Sequence, residues 1–252
     1  MAIMASLARA AWEFRPRPGA RKPGPISKVR FRRFLVEERR REAPFDAVLA
    51  KRPLPSQDAR NAFQANRIFP EILGAKDSLR ATTSRGRAEA AFELAISGKP
   101  REAMSQLEVL VAWLKNNPDG PDGYETSDGV YRKVPTVTPA TIYAGAGVIG
   151  YLIDDATATH YYALSYAEND QDASVATMLA VLLLRQGRRS DARRVIEHLI
   201  VLRRIALDRA KADFDKYRGP GPLETWALAE RDLKAAEQLL AEASYGVQAV
   251  VD

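Results

Sequence analysis

The amino-acid sequence predicts an all-α protein with an extended basic arm at its N-terminus and a long helical hairpin at its C-terminus. Three observations predict this architecture. Apolar residues of the body recur at helical spacing, glycine and proline interrupt them as in helical hairpins, and the positive charge is concentrated near the N-terminus. The chain has 252 residues with no cysteine and only two histidines. This composition excludes a disulfide scaffold and thiolate chemistry, and it argues against a multi-histidine metal site.

The charge divides the chain into a basic arm and a mildly acidic body. Residues 1–70 contain 16 Lys and Arg against 6 Asp and Glu, a net charge of +10, whereas the remaining residues have a net charge of −4. We therefore predict a Pro/Arg-rich arm over 1–70. A helical-hairpin domain with a loop insertion at 117–138 follows over 71–206, and a C-terminal helical hairpin over 207–252.

The arm combines basic residues with proline in one part and with aromatic residues in another. Residues 15–25 read RPRPGARKPGP, which forbids a helix and favours an extended path. Residues 27–42 mix arginines with phenylalanines, a combination that suits the phosphates and bases of a nucleic acid. The predicted binding residues are Arg15, Arg17, Arg21, Lys22, Lys28, Arg30, Arg32, Arg33, Arg39, Arg40 and Arg41. The alternatives are a solvated helix whose glutamates pair with these arginines, and, for the first 36 residues, an organelle transit peptide.

Two segments of the body have the pattern of a helical hairpin. In residues 85–117 an apolar helix ends at Gly98, and a proline two residues later favours the first turn of a second helix. In residues 173–204 Gly187 has the same place, and Ser190 is predicted to cap the second helix. Alanines that would let the helices approach closely lie 12 residues apart in both, at Ala91 and Ala103 and at Ala180 and Ala192.

These hairpins share the motif fragments Ala91-x2-Leu94-x3-Gly98-x4-Ala103-x3-Leu107 and Ala180-x2-Leu183-x3-Gly187-x4-Ala192-x3-Ile196. A weaker copy places Ala146 and Ala158 34 residues before the second pair, and its first helix would start at Thr138-Pro139. On these residues the chain resembles the tetratricopeptide-like family over about 85–117 and 139–206. The resemblance implies an array of helical hairpins; a generic helical-hairpin domain is the alternative.

The flanking segments predict a loop and a second kind of hairpin. Residues 117–138 are rich in Gly, Pro and Asp and favour a short β-hairpin around Asp128-Gly129. Acidic residues of this loop lack the EF-hand spacing, so no calcium site is predicted. Near the C-terminus a helix is expected to run on past Arg204 and to stop at GPGP, residues 219–222, before a last helix from Leu223 to about Ser244.

Two patterns keep enzymatic functions open. Gly145–Gly150 matches G-x-G-x-x-G, the dinucleotide-binding fingerprint, although the same glycines suit close helix packing. His160 follows Asp154 and Asp155 by one or two helical turns, which suits acid–base chemistry or a packing role. His198 lies among arginines and is predicted to face solvent or a partner.

A second basic cluster surrounds the turn of the second main hairpin. It is either a docking surface for an acidic partner or phosphates, or a solvated helical face. Its members are Arg185, Arg188, Arg189, Arg193 and Arg194.

Together these observations favour a non-enzymatic structural or adaptor subunit of a large assembly, such as a ribonucleoprotein or a virus particle. The body would bind other protein subunits, and the arm would bind RNA or DNA phosphates or a neighbouring subunit. We expect no cofactor and no membrane span, and a location in the cytoplasm or inside an assembly such as a virion, with an organelle matrix as the alternative. The alternative functions are a stand-alone nucleic-acid-binding regulator and a dinucleotide-binding enzyme that uses Gly145–Gly150.

Overall fold

The protein is described by a computed structural model that covers residues 28–67, 83–117, 123–125, 131–133 and 137–244. For residues 28–35, 37 and 38 and for the two short strands it describes the backbone only. The chain divides into two compact units, Met1–Ala43 and Pro44–Asp252. The predicted all-α class is confirmed for the described residues, whereas the predicted extended segment 15–25 lies outside them.

Nine helices and one pair of short strands make up the described part of the chain. The helices are α1 (Lys28–Lys51), α2 (Gln57–Ala65), α3 (Ser84–Ile96), α4 (Pro100–Asn116), α5 (Pro139–Ile153), α6 (Asp155–Glu168), α7 (Ala173–Arg185), α8 (Arg189–Tyr217) and α9 (Pro220–Ser244). The strands β1 (Gly123–Glu125) and β2 (Tyr131–Lys133) pair antiparallel. They flank the predicted β-hairpin position at 128–129, which itself lies outside the described residues.

Helix α1 belongs to both compact units. The basic segment predicted over residues 27–42 is helical from Lys28, which agrees with its alternative interpretation as a helix. The boundary between the units falls at Pro44, which lies inside α1. A proline in a helix interior removes one backbone hydrogen bond and disturbs the preceding turn, so it is a natural place for such a division.

The turns of the two main hairpins have the same backbone conformation. Gly98 and Gly187 both have positive φ, at 90° and 70°. The residue after each glycine donates its N–H to the carbonyl five residues back, Lys99 to Leu94 at 3.1 Å and Arg188 to Leu183 at 3.0 Å. This is the Schellman motif, which satisfies the last carbonyls of a helix and is accessible to glycine because it has no Cβ.

The predicted helix starts are confirmed in two places and wrong in one. Pro100 is the first residue of α4, and Thr138 accepts a hydrogen bond from the Thr141 N–H at 3.2 Å to cap α5. Ser190, in contrast, does not cap α8. The Schellman turn brings Arg188 to the capping position, so that Ser190 already lies inside the helix.

The middle hairpin of α5 and α6 replaces the glycine turn by one aspartate. Asp154 is both the last cap of α5 and the first cap of α6, where its carboxylate accepts the Thr157 N–H at 2.6 Å. This hydrogen bond holds the pKa of Asp154 below its ordinary value. Such a short connection requires close helices, and Gly150 lets the chain approach Ala158 there.

Successive helices from α3 to α9 pack against one another in chain order. The predicted close approach of helices is confirmed, because the matched alanines of all three hairpins are almost completely buried. These are Ala91, Ala103, Ala146, Ala158, Ala180 and Ala192.

The C-terminal hairpin differs in its turn from the prediction. Helix α8 ends at Tyr217, and the turn consists of Arg218, with φ of 40°, and Gly219. The predicted extension of this helix past Arg204 is therefore confirmed, but the last helix begins at Pro220 and not at Leu223, because Pro220 and Pro222 lie in the first turn of α9, where a missing N–H costs no hydrogen bond. The predicted boundary between residues 206 and 207 falls inside α8, so one helix serves both regions.

Candidate protein-binding faces

The helices of the array differ in how many of their sides are covered. In α5 every residue from Ala144 to Tyr151 is buried, and in α7 every residue from Val175 to Leu183. A helix that is buried all round must have neighbours on several sides. We call α3, α5 and α7 the inner helices, and α4, α6 and α8, which each have an exposed face, the outer helices.

Residues 44–67, which the charge pattern assigned to the arm, cover the inner helices. We call them the covering segment; it comprises the end of α1, a connection and α2. Phe45 stacks on Phe92 of α3 with ring centroids 5.5 Å apart, and Phe63 meets Tyr151 of α5 edge-on at 5.4 Å. Helix α2 packs against α7. The covering segment therefore contacts all three inner helices and completes their core.

A polar cluster around Tyr151 ties the middle of the covering segment to three helices. Arg52 pairs with Asp155 at 2.6 Å, and the Tyr151 hydroxyl donates to the Arg52 carbonyl at 2.5 Å. Arg185 donates to the Tyr151 hydroxyl at 2.7 Å and to the Pro53 carbonyl. Hydrogen bonds to charged groups are stronger than neutral ones, so this cluster fixes the connection between α1 and α2.

Both ends of α2 have further polar contacts with the array. Asn66 Oδ1 lies 2.8 Å from the hydroxyl oxygen of Ser174 at the start of α7. Asp58 pairs with Arg203 of α8 at 3.1 Å, and the same guanidinium pairs with Asp232 of α9 at 3.0 Å. Burial raises the pKa of Asp58 in spite of Arg203, because desolvation disfavours the charged carboxylate.

An open groove lies between the outer helices α4 and α6, and its volume is about 550 Å³. Its lining residues are Arg101, Met104, Ser105, Glu108, Ile153, Ala156, Thr157, His160 and Tyr161. The Tyr161 hydroxyl donates to Glu108 across the groove, and Lys115 pairs with Glu168 seven residues further along both helices. Burial and the Glu108 carboxylate raise the pKa of Tyr161, so its hydroxyl keeps its proton. The groove is thus a mixed apolar and polar surface with a protonated donor at its wall.

The two histidines lie on the outer helices. His160 is exposed at the groove and contacts Tyr161 edge-on at 5.0 Å. Among the described residues neither aspartate is hydrogen-bonded to it, because Asp155 pairs with Arg52 and Asp154 caps α6. His198, which was predicted to face solvent or a partner, is half-buried against Tyr166, with ring centroids 6.0 Å apart.

The dinucleotide hypothesis for Gly145–Gly150 requires a loop between a strand and a helix, and the structure does not have one there. These residues form no loop after a strand but lie buried in the middle of α5. A Cβ at Gly147 would lie 2.8 Å from the Tyr162 ring, and one at Gly150 would lie 2.9 Å from the Ala158 backbone nitrogen. The glycines therefore serve helix packing, and no helix N-terminus is available there for a pyrophosphate.

Comparison with known proteins identifies no relative. No family model, no curated protein and no solved structure matches this chain. Its function must therefore be argued from its own residues.

The predicted arm residues fall into four groups. Arg15, Arg17, Arg21 and Lys22 lie outside the described residues, and Lys28, Arg30, Arg32 and Arg33 lie in α1 without described side chains. Arg39 and Arg40 are exposed, as a surface for phosphates requires. Arg41 is buried, with only 7% of its surface exposed, and it interacts with other residues. The structure thus places Arg41 away from the solvated face.

The residues of the second basic cluster bind different partners and do not form one free surface. Arg185 belongs to the Tyr151 cluster described above. Arg188 and Arg194 both pair with Asp191, at 2.8 and 2.5 Å, and Arg193 pairs with Glu197 at 2.8 Å. Only Arg189 is left exposed without an ion pair to another described residue. These local pairs favour the solvated-face interpretation.

The described residues contain neither a metal-binding cluster nor a membrane-spanning helix. No group of three or more histidine, aspartate or glutamate residues there is placed to hold a metal ion. Within the same ranges, no helix has the length and apolar character needed to cross a membrane.

Sequence reasoning missed the covering segment and its partners. Its local signals are present: Ser56 follows a Pro-Leu-Pro run and caps α2, accepting the Ala59 N–H at 3.1 Å. Ala59, Ala62 and Phe63 then recur at helical spacing. The partners of this helix could not be found in this way, because they lie about 100 residues or more further along the chain.

Proposed function

We propose that this protein is a non-enzymatic adaptor subunit of a larger assembly. Its helical body binds other protein subunits, and its basic arm binds nucleic-acid phosphates or a neighbouring subunit. The observation that carries the proposal is the repetition of helical hairpins in a continuous stack, with matched buried alanines in three of them and the same Schellman turn in two.

Repetition of this kind supports a tetratricopeptide-like array. Each hairpin buries one side against the next, so the array gains extended surfaces rather than a single enclosed pocket. The matched Schellman turns at Gly98 and Gly187 and the close α5–α6 hairpin between them agree with such an array. Arrays of helical hairpins use these surfaces to bind segments of other proteins.

The outer helices offer a free surface for a protein partner. The lining of the α4–α6 groove combines the apolar side chains of Met104 and Ile153 with polar groups, and protein interfaces have a similar mixture. Val109 of α4 is 70% exposed and adds apolar surface to the same helix.

The arm has a different role in the proposal. Residues 1–43, which precede the covering segment, contain 12 Lys and Arg against 4 Asp and Glu, and this net charge of +8 would favour association with phosphates or an acidic neighbour. Exposed Arg39 and Arg40 on α1 support this role for the helical part of the arm. A stand-alone nucleic-acid-binding regulator differs from this proposal in needing no protein partner.

The test compares full-length chains that differ in one basic region. In the arm variant Arg15, Arg17, Arg21 and Lys22 are changed to Gln, and in the control variant Arg188, Arg189, Arg193 and Arg194 are changed to Gln. Each chain is purified with and without nuclease, and its mass is measured by light scattering. Affinity for a single-stranded RNA and a duplex DNA is then measured against salt concentration.

The proposal predicts a nuclease-sensitive assembly that the control variant keeps and the arm variant loses. Because the arm variant has four phosphate contacts fewer, the slope of log Kd against log salt concentration should be smaller by about 3. A protein that stays bound in fixed ratio after nuclease, and that rebinds as a pure component, would support the adaptor role. Monomers without nucleic acid in every preparation would contradict the proposal, and sequence-specific binding without a protein partner would favour the regulator.

A further inference from the structure

We propose that the covering segment, Pro44–Arg67, is an intramolecular ligand of the inner helices, and that the face it covers is a docking surface closed by the chain itself. The proposal deepens the proposed function and rests on it, because it assigns a regulated docking face to the adaptor. The occupant to which we commit is the covering segment.

The first argument is how the covering segment is anchored. Its aromatic residues Phe45 and Phe63 insert between the rings of Phe92 and Tyr151, and Phe45 and Phe63 themselves meet edge-on at 5.8 Å. Both are almost completely buried. Large aromatic anchors in fully desolvated positions are typical of binding hot spots.

The second argument is the kind of group that the array presents. Arg185 and Tyr151 donate to main-chain carbonyls of Pro53 and Arg52, not to side chains. Donors that bind the backbone of an irregular connection are characteristic of surfaces that hold a peptide segment. Packing between helices of one core, in contrast, is mostly apolar.

The third argument is charge complementarity between the segment and the face. Arg52 of the segment pairs with Asp155 of the face, and Asp58 of the segment pairs with Arg203 of the face. Charges of both signs are thus matched across the same contact. The segment adds a second ion-pair partner to Asp155, which also pairs with Arg185 at 3.6 Å, and to Arg203, which also pairs with Asp232, so its charges match those of the face.

The experiment weakens the segment in the full-length chain and supplies the same segment in trans. A fluorescent peptide with the sequence of residues 44–67 is titrated with three proteins: the unchanged chain, Phe63→Ala and Phe92→Ala. Fluorescence anisotropy reports binding, and circular dichroism reports the fold. The two variants are matched, because each removes one ring from the same aromatic cluster, but only Phe63→Ala leaves the face unchanged.

The proposal predicts that Phe63→Ala binds the peptide at least tenfold more tightly than the unchanged chain, in which the covering segment competes. Phe92→Ala should show no such gain. A milder pair, Arg52→Ala in the segment and Asp155→Ala in the face, should behave in the same way if the phenylalanine variants do not fold. Equal peptide affinities for both members of each pair, or unfolding that the peptide does not reverse, would overturn the proposal.

This result does not depend on the arm or on an external partner. Peptide binding by Phe63→Ala with no nuclease-sensitive or protein assembly would retain the docking face and refute the adaptor. The reverse result would retain the adaptor and make the covering segment an ordinary part of the core.

Discussion

The inner helices α5 and α7 are apolar on almost every side, whereas the outer helices α4, α6 and α8 combine an apolar stripe with a polar face. Inner helices α5 and α7 have long runs of consecutive buried residues. Outer helices α4 and α8 expose apolar residues, with Val109 70% and Val201 52% accessible. The difference comes from the covering segment, which closes one side of the array and leaves the other side open.

This comparison shows that a helical array can use part of its own chain where a partner could bind. The closed side is fixed by aromatic contacts and by the Tyr151 cluster. The open side has local ion pairs and the α4–α6 groove. A partner that does not displace the covering segment therefore has the outer helices available, which is where the proposed function places protein contacts.

The largest effect on the free energy of unfolding is expected for Phe63→Ala on the closed side, compared with Val109→Ala on the open side. Phe63 is fully buried between Phe45 and Tyr151, so its loss should lower the free energy of unfolding by about 3–5 kcal/mol. Val109→Ala on the open side should change it by less than about 0.5 kcal/mol. Urea denaturation of both variants measures this, and comparable losses would contradict the distinction between the two sides.

A smaller effect is expected where two helices of the array touch. Gly150→Ala places a methyl group 2.9 Å from the Ala158 nitrogen, and overpacking of this kind costs about 1–3 kcal/mol. Gly221→Ala in the first turn of α9 is the control, because a Cβ there has no atom within 4 Å. Helix propensity favours alanine by up to about 1 kcal/mol at either site. Thermal melts should therefore move in opposite directions, and a stabilised Gly150→Ala would show that the helices are further apart.

The third prediction concerns two aspartates whose pKa values move in opposite directions. The pKa of Asp58 is raised from 3.8 by burial, so its favourable contribution is present at low pH and is lost as pH rises through its pKa in the folded protein. The pKa of Asp154 is lowered from 3.8 by its hydrogen bond from Thr157, so its contribution is present at neutral pH and is lost as pH falls below 3.8.

The two aspartates should therefore respond differently to substitution at pH 7. Asp154→Ala should cost about 1 kcal/mol, as for other helix caps, and the cost should fade in acid. Asp58→Asn should leave the free energy of unfolding unchanged or raise it. Urea denaturation from pH 3 to pH 7 distinguishes these outcomes, and a large loss for Asp58→Asn at pH 7 would mean that Arg203 outweighs desolvation.

The smallest effect is expected on the exposed face of α8. Arg193 pairs with Glu197 one turn away, and their side chains are 58% and 50% exposed to solvent. Such pairs contribute no more than about 0.5 kcal/mol. Arg193→Ala should therefore leave the melting temperature almost unchanged at moderate salt, whereas a shift of several degrees would indicate contacts that the ion pair does not explain.

Local signals in the sequence were enough for the helices and their turns. Gly98, Gly187 and Thr138-Pro139 mark caps whose geometry depends only on neighbouring residues, and the structure has each of them. The helix before the GPGP segment ends at Tyr217, close to the predicted stop, but the last helix begins at Pro220 and not at Leu223, because proline in a first helical turn costs no hydrogen bond.

Non-local contacts could not be predicted in the same way. The net charge of residues 1–70 indicated an arm, so α2 was not predicted, although the Ser56 cap and Phe63 are local signals of a helix. The glycines at 145, 147 and 150 fit a phosphate loop or a packed helix equally well, and the contacts of Gly147 with Tyr162 and of Gly150 with Ala158 decide between them. Which groups meet Arg185 and Arg203 depends on chain folding over more than 100 residues.

The central claim is that the covering segment lies on the inner helices, and ring-to-ring contacts test it most directly. In the full-length protein with labelled Phe and Tyr, nuclear Overhauser effects should connect the Phe63 ring to the Tyr151 ring, whose centroids are 5.4 Å apart. Contacts between Gly147 and the Tyr162 ring serve as an internal control for the folded array. If the control contacts are present and those between Phe63 and Tyr151 are absent, the inner side is not closed by residues 44–67 and the account is wrong.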